Sequence, residues 1–183
     1  MDSHNTYFIV EASHLFRAGE IHSSQLYVID VVSYIAREIL DAPITDTWVL
    51  FGSTKEQQAD KYVQAVERTG VKVVRMVPID SRIIPGNKFY KPSTYLHDIF
   101  ATLPIGSQVC LVGFHNTRFE DLLRKYQESF KISICAFTTK SKTNNDMRIP
   151  ENFTPLVERA VSLDDHISGI KNEYKRSKQV EVQ

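Results

Sequence analysis

Gln108-Val-Cys-Leu-Val112, closed by Gly113 and followed by Phe114-His-Asn-Thr-Arg118, is the stretch that decides the fold. Its four consecutive apolar residues lack the alternation of a half-wetted strand, so they suit a strand buried on both faces. Gly113 breaks the run, and Asn116 or Thr117 then caps a helix reaching Ser129. A buried strand, a short turn and a capped helix form one unit of an α/β domain.

The same unit recurs outward in both directions. Tyr7–Val10 is a first strand ending at Glu11. Ser23 or Ser24 caps a helix over Gln25–Leu40, where Leu26, Ile29, Val32, Ile35 and Ile39 recur at helical spacing. Thr47–Phe51 is a second strand, stopped by Gly52, and Ser53 or Thr54 opens a helix from Lys55 to Thr69 that Gly70 terminates. Val71–Val77 is a third strand, and a long loop, Ile79–Pro92, leads to a helix capped by Ser93. Lys131–Phe137 is a fifth strand, Thr138–Pro155 a polar stretch, and Ala160–Ser162 a short sixth strand. Leu163–Arg176 is the last helix. Strand–helix alternation of this kind predicts a three-layer α/β/α sandwich around a mainly parallel, five- or six-stranded, Rossmann-like sheet. The expected organisation is one domain over 1–170, with a basic tail over 171–183.

The totals agree with one packed domain. The chain has 183 residues, 42% of them hydrophobic, enough for a full core. Its 22 basic and 22 acidic residues cancel, which argues against a tail-driven, histone-like binder but leaves room for a local basic patch. Cys110 and Cys135 sit inside apolar runs and read as buried thiols. Met1-Asp-Ser-His-Asn5 is not the start of a secretory signal, and no apolar stretch approaches the roughly 20 residues that span a bilayer. The expectation is a soluble, intracellular protein with no membrane partner.

In such sheets ligands bind beyond the carboxyl ends of the strands, which selects the residues to weigh. Glu11 ends the first strand, where a carboxylate can hold a hard cation. Asp98, in the helix after the long loop, is the candidate second carboxylate; its plain alternative is a helix acid favoured by the macrodipole. His115 and Asn116 stand at a helix N-terminus, where free N–H groups attract anions; the plain alternative is that Asn116 caps the helix and His115 is exposed. The loop after the third strand carries Arg82, Lys88 and Lys91 with Phe89 and Tyr90 between the lysines, and the polar stretch carries Lys140, Lys142 and Arg148. Cations interleaved with rings suit single-stranded nucleic acid. No G-x-G-x-x-G and no P-loop spacing is present, so no nucleotide cofactor site is expected.

The order of features resembles the NYN domain, a branch of the PIN-like nuclease superfamily. The resemblance runs from Tyr7 to about His166 and rests on Tyr7-Phe-Ile-Val-Glu-Ala-Ser-His-Leu-Phe16, Val49-Leu-Phe-Gly-Ser53, Gly70-Val-Lys-Val-Val74, Lys91 with the helix behind it, and Leu111-Val-Gly-Phe-His-Asn-Thr-Arg-Phe-Glu-Asp-Leu-Leu123. Lys131–Phe137 and Arg159–His166 are similar to the family's following strand and its closing strand and helix. It implies a PIN-like fold, a site holding Mg²⁺ or Mn²⁺, phosphodiester hydrolysis, and catalytic roles for Glu11 and Asp98 as metal ligands with His115 and Asn116 on the phosphate. The departures bear on that activity. Glu11 replaces a shorter acid, His14 stands where the family has Asn, Thr94 where it has Asp, and no acid follows the fourth strand until Glu120. The resulting expectation is a pseudo-nuclease that binds single-stranded RNA through Arg82, Lys88, Lys91, Arg118, Lys140 and Lys142, with weak or absent cutting. The alternatives are an active metal-dependent endoribonuclease, and a protein-interaction module that meets a protein partner or a second copy of itself.

Overall fold

The computed structural model describes residues 5–52, 56–79, 90–139 and 148–181. Six strands form one sheet: β1 (Thr6–Glu11), β2 (Asp46–Phe51), β3 (Lys72–Arg75), β4 (Gln108–Val112), β5 (Lys131–Ala136) and β6 (Arg159–Ser162). Their order is β3-β2-β1-β4-β5-β6, and every neighbouring pair is parallel. The apolar runs of the central strands β1, β2, β4 and β5 are largely buried on both sides, as parallel pairing requires, whereas the edge strands β3 and β6 are partly exposed. Phe8, Val10, Cys110, Val112 and Cys135 line one face of the sheet; Tyr7, Ile9, Leu50, Leu111 and Ile134 line the other.

Helices cover both faces and make the expected sandwich. On the first face lie α1 (Ala12–Ile21), α2 (Val28–Tyr34), α3 (Glu56–Glu67) and α6 (Ile167–Glu181), through Leu15, Val31, Val32, Val63 and Ile170. On the second lie α4 (Pro92–Thr102) and α5 (Glu120–Tyr126), through Leu96, Ile99, Phe100, Leu122 and Leu123. Cys110 and Cys135 are buried thiols on adjacent strands, their sulfurs 3.8 Å apart. No helix among the described residues is long and apolar enough to cross a membrane.

Several boundaries differ from the sequence reading. Helix α1 starts directly after β1, where the sequence reading places no helix. Its N-cap is Glu11 with no side-chain capping bond, so it announces itself by none of the usual residues. Gly19 inside it lets the chain reverse: a Cβ there would stand 2.6 Å from the Ser24 carbonyl oxygen. Ser23 and Ser24 therefore lie in the turn after α1 and cap nothing; α2 begins at Val28 behind an extended Tyr27. It passes into a π-helical turn over Ile35–Leu40, ended by a left-handed Asp41. The helix expected to run from Asn116 to Ser129 is a 3₁₀ turn, Thr117–Phe119, followed by α5.

The basic C-terminal segment also differs. After a 3₁₀ turn at Asp164–His166, α6 continues to Glu181, so residues 171–181 are helical. Ile170 and Glu173 are buried against α2 and the π turn, and Glu173 pairs with Arg37. The lysines of this segment are the wet face of an amphipathic helix.

Candidate functional site

Strand order turns around between β1 and β4, because the chain builds outward from β1 first to one side and then to the other. Open sheets leave a crevice at such a switch point, beyond the carboxyl ends of the two strands. Val10 lies opposite Val112, so Glu11 on β1 stands beside Gly113 after β4.

His14, in the first turn of α1, packs directly on Gly113. A Cβ at Gly113 would fall 2.6 Å from the His14 Cβ, and Gly113 also holds φ +91°, so both space and backbone demand glycine. The His14 Nε2 accepts the Phe137 backbone N–H at 2.9 Å, which leaves the proton of the neutral ring on Nδ1. Burial, helped by His115 and Arg17 and opposed by Asp164, pushes its pKa down to about 3. This neutral, buried imidazole ties α1 to the ends of β4 and β5.

His115 meets His14 edge-on, ring centroids 5.0 Å apart. Its Nδ1 donates to the Gly113 carbonyl at 3.1 Å, since a carbonyl only accepts; the half-buried ring therefore keeps Nε2 as a base. Burial lowers its pKa, against the pull of the Gly113 bond, and Arg17 lowers it further. Glu11 is half-buried and accepts the Ser13 hydroxyl at 2.8 Å. Burial raises its pKa, outweighing the Ser13 bond and the charges of Arg118 and Arg17. Asn116 caps the 3₁₀ turn, accepting the Arg118 N–H at 3.1 Å, and the Arg118 guanidinium lies over the Phe119 ring at 5.2 Å. The Tyr90 ring lies 3.1 Å from where a Gly52 Cβ would be, so an aromatic group covers the end of β2.

Of the residues singled out from the sequence, Glu11, His115, Asn116 and Arg118 stand on the two lips of this crevice. Asp98 does not join them. It is exposed on α4, two residues past buried Leu96 and so on the opposite side of the helix, because Leu96, Ile99 and Phe100 take the sheet-facing side. Lys91 is exposed where α4 begins. Arg82, Lys88, Lys140 and Lys142 lie outside the described residues, as do Ser53 and Thr54. Among the described residues no three or more His, Cys, Asp or Glu side chains gather to hold a metal ion. Mg²⁺ and Mn²⁺ take clustered oxygen ligands, and among the described residues Glu11, with Arg118 and Arg17 acting on its charge, supplies no such cluster.

The sequence reading missed Arg17 and Asp164. Arg17 follows Ser13 by one turn of α1, a signal lost with that helix. Asp164, just past β6, gathers the Thr138 N–H at 2.6 Å, the Thr138 and Ser162 hydroxyls at 2.9 Å, the Thr139 hydroxyl, and His22 Nε2 at 2.9 Å. Burial pushes its carboxyl up, but the bonds from Thr139, Thr138 and His22 outweigh that and hold it well below the usual carboxylate range. Beside it the Tyr34 hydroxyl meets His166 Nδ1 at 2.7 Å. These bonds fasten the ends of β5 and β6 to α1 and α2.

The molecule is thus a Rossmann-like α/β protein with a histidine-floored, arginine-flanked crevice at its switch point. No protein-family model and no curated protein sequence matches the chain. Among solved structures it is similar to the crystal structure of a protein of unknown function from Vibrio parahaemolyticus, with a TM-score of 0.65 and 14% identity over 90% of this chain and 96% of that one. The likeness is one of fold.

Proposed function

We propose that this chain is an NYN-like, PIN-like domain that binds single-stranded RNA at the β1–β4 crevice, with metal-dependent hydrolysis weak or absent. The observation that carries this reading is the composition of the crevice among the described residues: Glu11, pushed toward its protonated form, with Arg118 and Arg17 acting on its charge. A site built for a catalytic cation concentrates negative charge; this one concentrates positive charge beside neutral imidazoles. Phosphate is the natural guest of exposed arginines, and bases stack on rings such as Tyr90.

Fluorescence anisotropy with a labelled, mixed-sequence single-stranded RNA tests the reading. Binding is expected at about 50 mM salt and weakens about 10- to 20-fold by about 200 mM if some three phosphates are neutralised. Arg17→Glu combined with Arg118→Glu abolishes it, and Mg²⁺ or Mn²⁺ brings little hydrolysis. No binding at low salt, or binding indifferent to the double charge reversal, overturns the proposal and turns attention to a protein partner or self-association, read by light scattering.

A further inference from the structure

We propose that the crevice cleaves RNA without a metal ion, by transphosphorylation, with His115 as general base, Glu11 as general acid, and Arg17 and Arg118 holding the phosphate. The inference rests on the RNA-binding reading above and adds a reaction to it. It starts from placement. Val10 and Val112 are register partners on adjacent strands, roughly 4.8 Å apart at the backbone, and Glu11 and Gly113 are the residues that follow them. The His115 ring is tied back to the Gly113 carbonyl, so an acid and a base stand on opposite lips of one crevice.

The tautomer is set by the fold. A ring whose Nδ1–H is spent on a carbonyl presents Nε2 as its only acceptor, the form a general base needs. Among the described residues the Glu11 carboxyl accepts the Ser13 hydroxyl, and burial favours its neutral form. Burial disfavours the charged form of His115 as well, so both shifts run toward a neutral acid and a neutral base. The groups that set these states are Ser13, Arg17 and Arg118 around Glu11, and Gly113, His14 and Arg17 around His115. Arg17, exposed one turn after Ser13 on α1, acts electrostatically on both groups and is a cation available to the phosphate.

The chemistry balances without a co-reactant. His115 Nε2 takes the proton of the ribose 2′-hydroxyl, and the 2′-oxygen bonds to phosphorus. The bond from phosphorus to the 5′-oxygen breaks with its electron pair on oxygen, and Glu11 supplies the proton to that oxygen. The products are a 2′,3′-cyclic phosphate and a 5′-hydroxyl. The imidazolium and carboxylate then exchange protons with water and return to their starting forms.

The experiment incubates the full chain with a labelled single-stranded RNA in excess chelator, beside the same strand made all 2′-deoxy, and identifies the ends formed. His115→Gln and Glu11→Gln proteins, purified identically, run in parallel, with RNA binding measured for each. Expected are chelator-resistant cuts ending in cyclic phosphate, none in the deoxy strand, and a loss of about 100-fold or more in each variant while binding persists. Binding without cutting in chelator overturns this inference and leaves the RNA-binding reading standing; absence of binding overturns both. Cuts that need Mg²⁺ or Mn²⁺ and leave a 5′-phosphate overturn it too, as does equal cutting by wild type and His115→Gln.

Discussion

Glu11 and Asp164 are two carboxylates at the same edge of the same sheet, and the fold treats them in opposite ways. Asp164 draws donors from Thr138, Thr139, Ser162 and His22 and is held well below the ordinary carboxylate range. Glu11 has the Ser13 hydroxyl, lies deeper in its crevice, and is pushed up. The difference lies in what each carboxylate is surrounded by. A carboxylate whose lone pairs are spent on the protein is a fastening; one that burial leaves under-satisfied is held ready for something else. The crevice, more than the β5–β6 corner, is where a ligand would relieve an energetic cost.

Three measurements break or sharpen that contrast. The largest effect belongs to the crevice floor. Gly113→Ala drives a methyl into the stem of His14 and forces alanine to φ +91°, so a loss of about 2–5 kcal/mol in urea unfolding is expected. A loss below that range would mean that His14 moves freely and is no pin.

Asp164→Ala comes next. It strips the acceptor from the Thr138 N–H and three hydroxyls, and about 1–3 kcal/mol is expected. Because this carboxyl is depressed in the folded protein, its contribution is present above the unfolded carboxylate value and is lost as pH falls through the depressed one. The gap between wild type and Asp164→Ala therefore closes in acid. A gap that stayed constant from neutral to strongly acid pH would show that the charge plays no part.

Glu11→Gln has the smallest effect and the opposite sign. The folded value of Glu11 is raised, so its proton is held more tightly in the native state, and its stabilising share is lost as pH rises through that raised value. The Glu11→Gln protein, uncharged at this position, should therefore melt at a higher temperature than wild type near neutrality. The two should converge below the ordinary value of 4.5. A Glu11→Gln protein that melts lower at neutral pH would place Glu11 with Asp164 as a fastening, and the contrast would fail.

Much of this was legible in the chain. The apolar runs at Tyr7, Thr47, Gln108 and Lys131 are strands because they are almost wholly apolar, with Ser133 alone breaking into the last, and Gly70, Gly113 and Asn116 punctuate them as local rules predict. Glu11, His115, Asn116 and Arg118 could be named because a switch-point crevice always lies beyond strand ends. Helix α1 was not legible, since it starts without a cap and carries Gly19 inside. Arg17 was lost with it. Asp98 was read by position along the chain, but which side of α4 faces the sheet is decided by Leu96, Ile99 and Phe100 together.

What the sequence by itself determined is the alternation of buried strands and helices and the edge at which a site must lie, because both follow from local apolar pattern and chain connectivity. The tertiary structure decided which groups meet there and in what charge state. Strand order brings Gly113 under His14 and Glu11 beside the fourth strand, and desolvation then sets their protons, a property of enclosure that no residue carries alone.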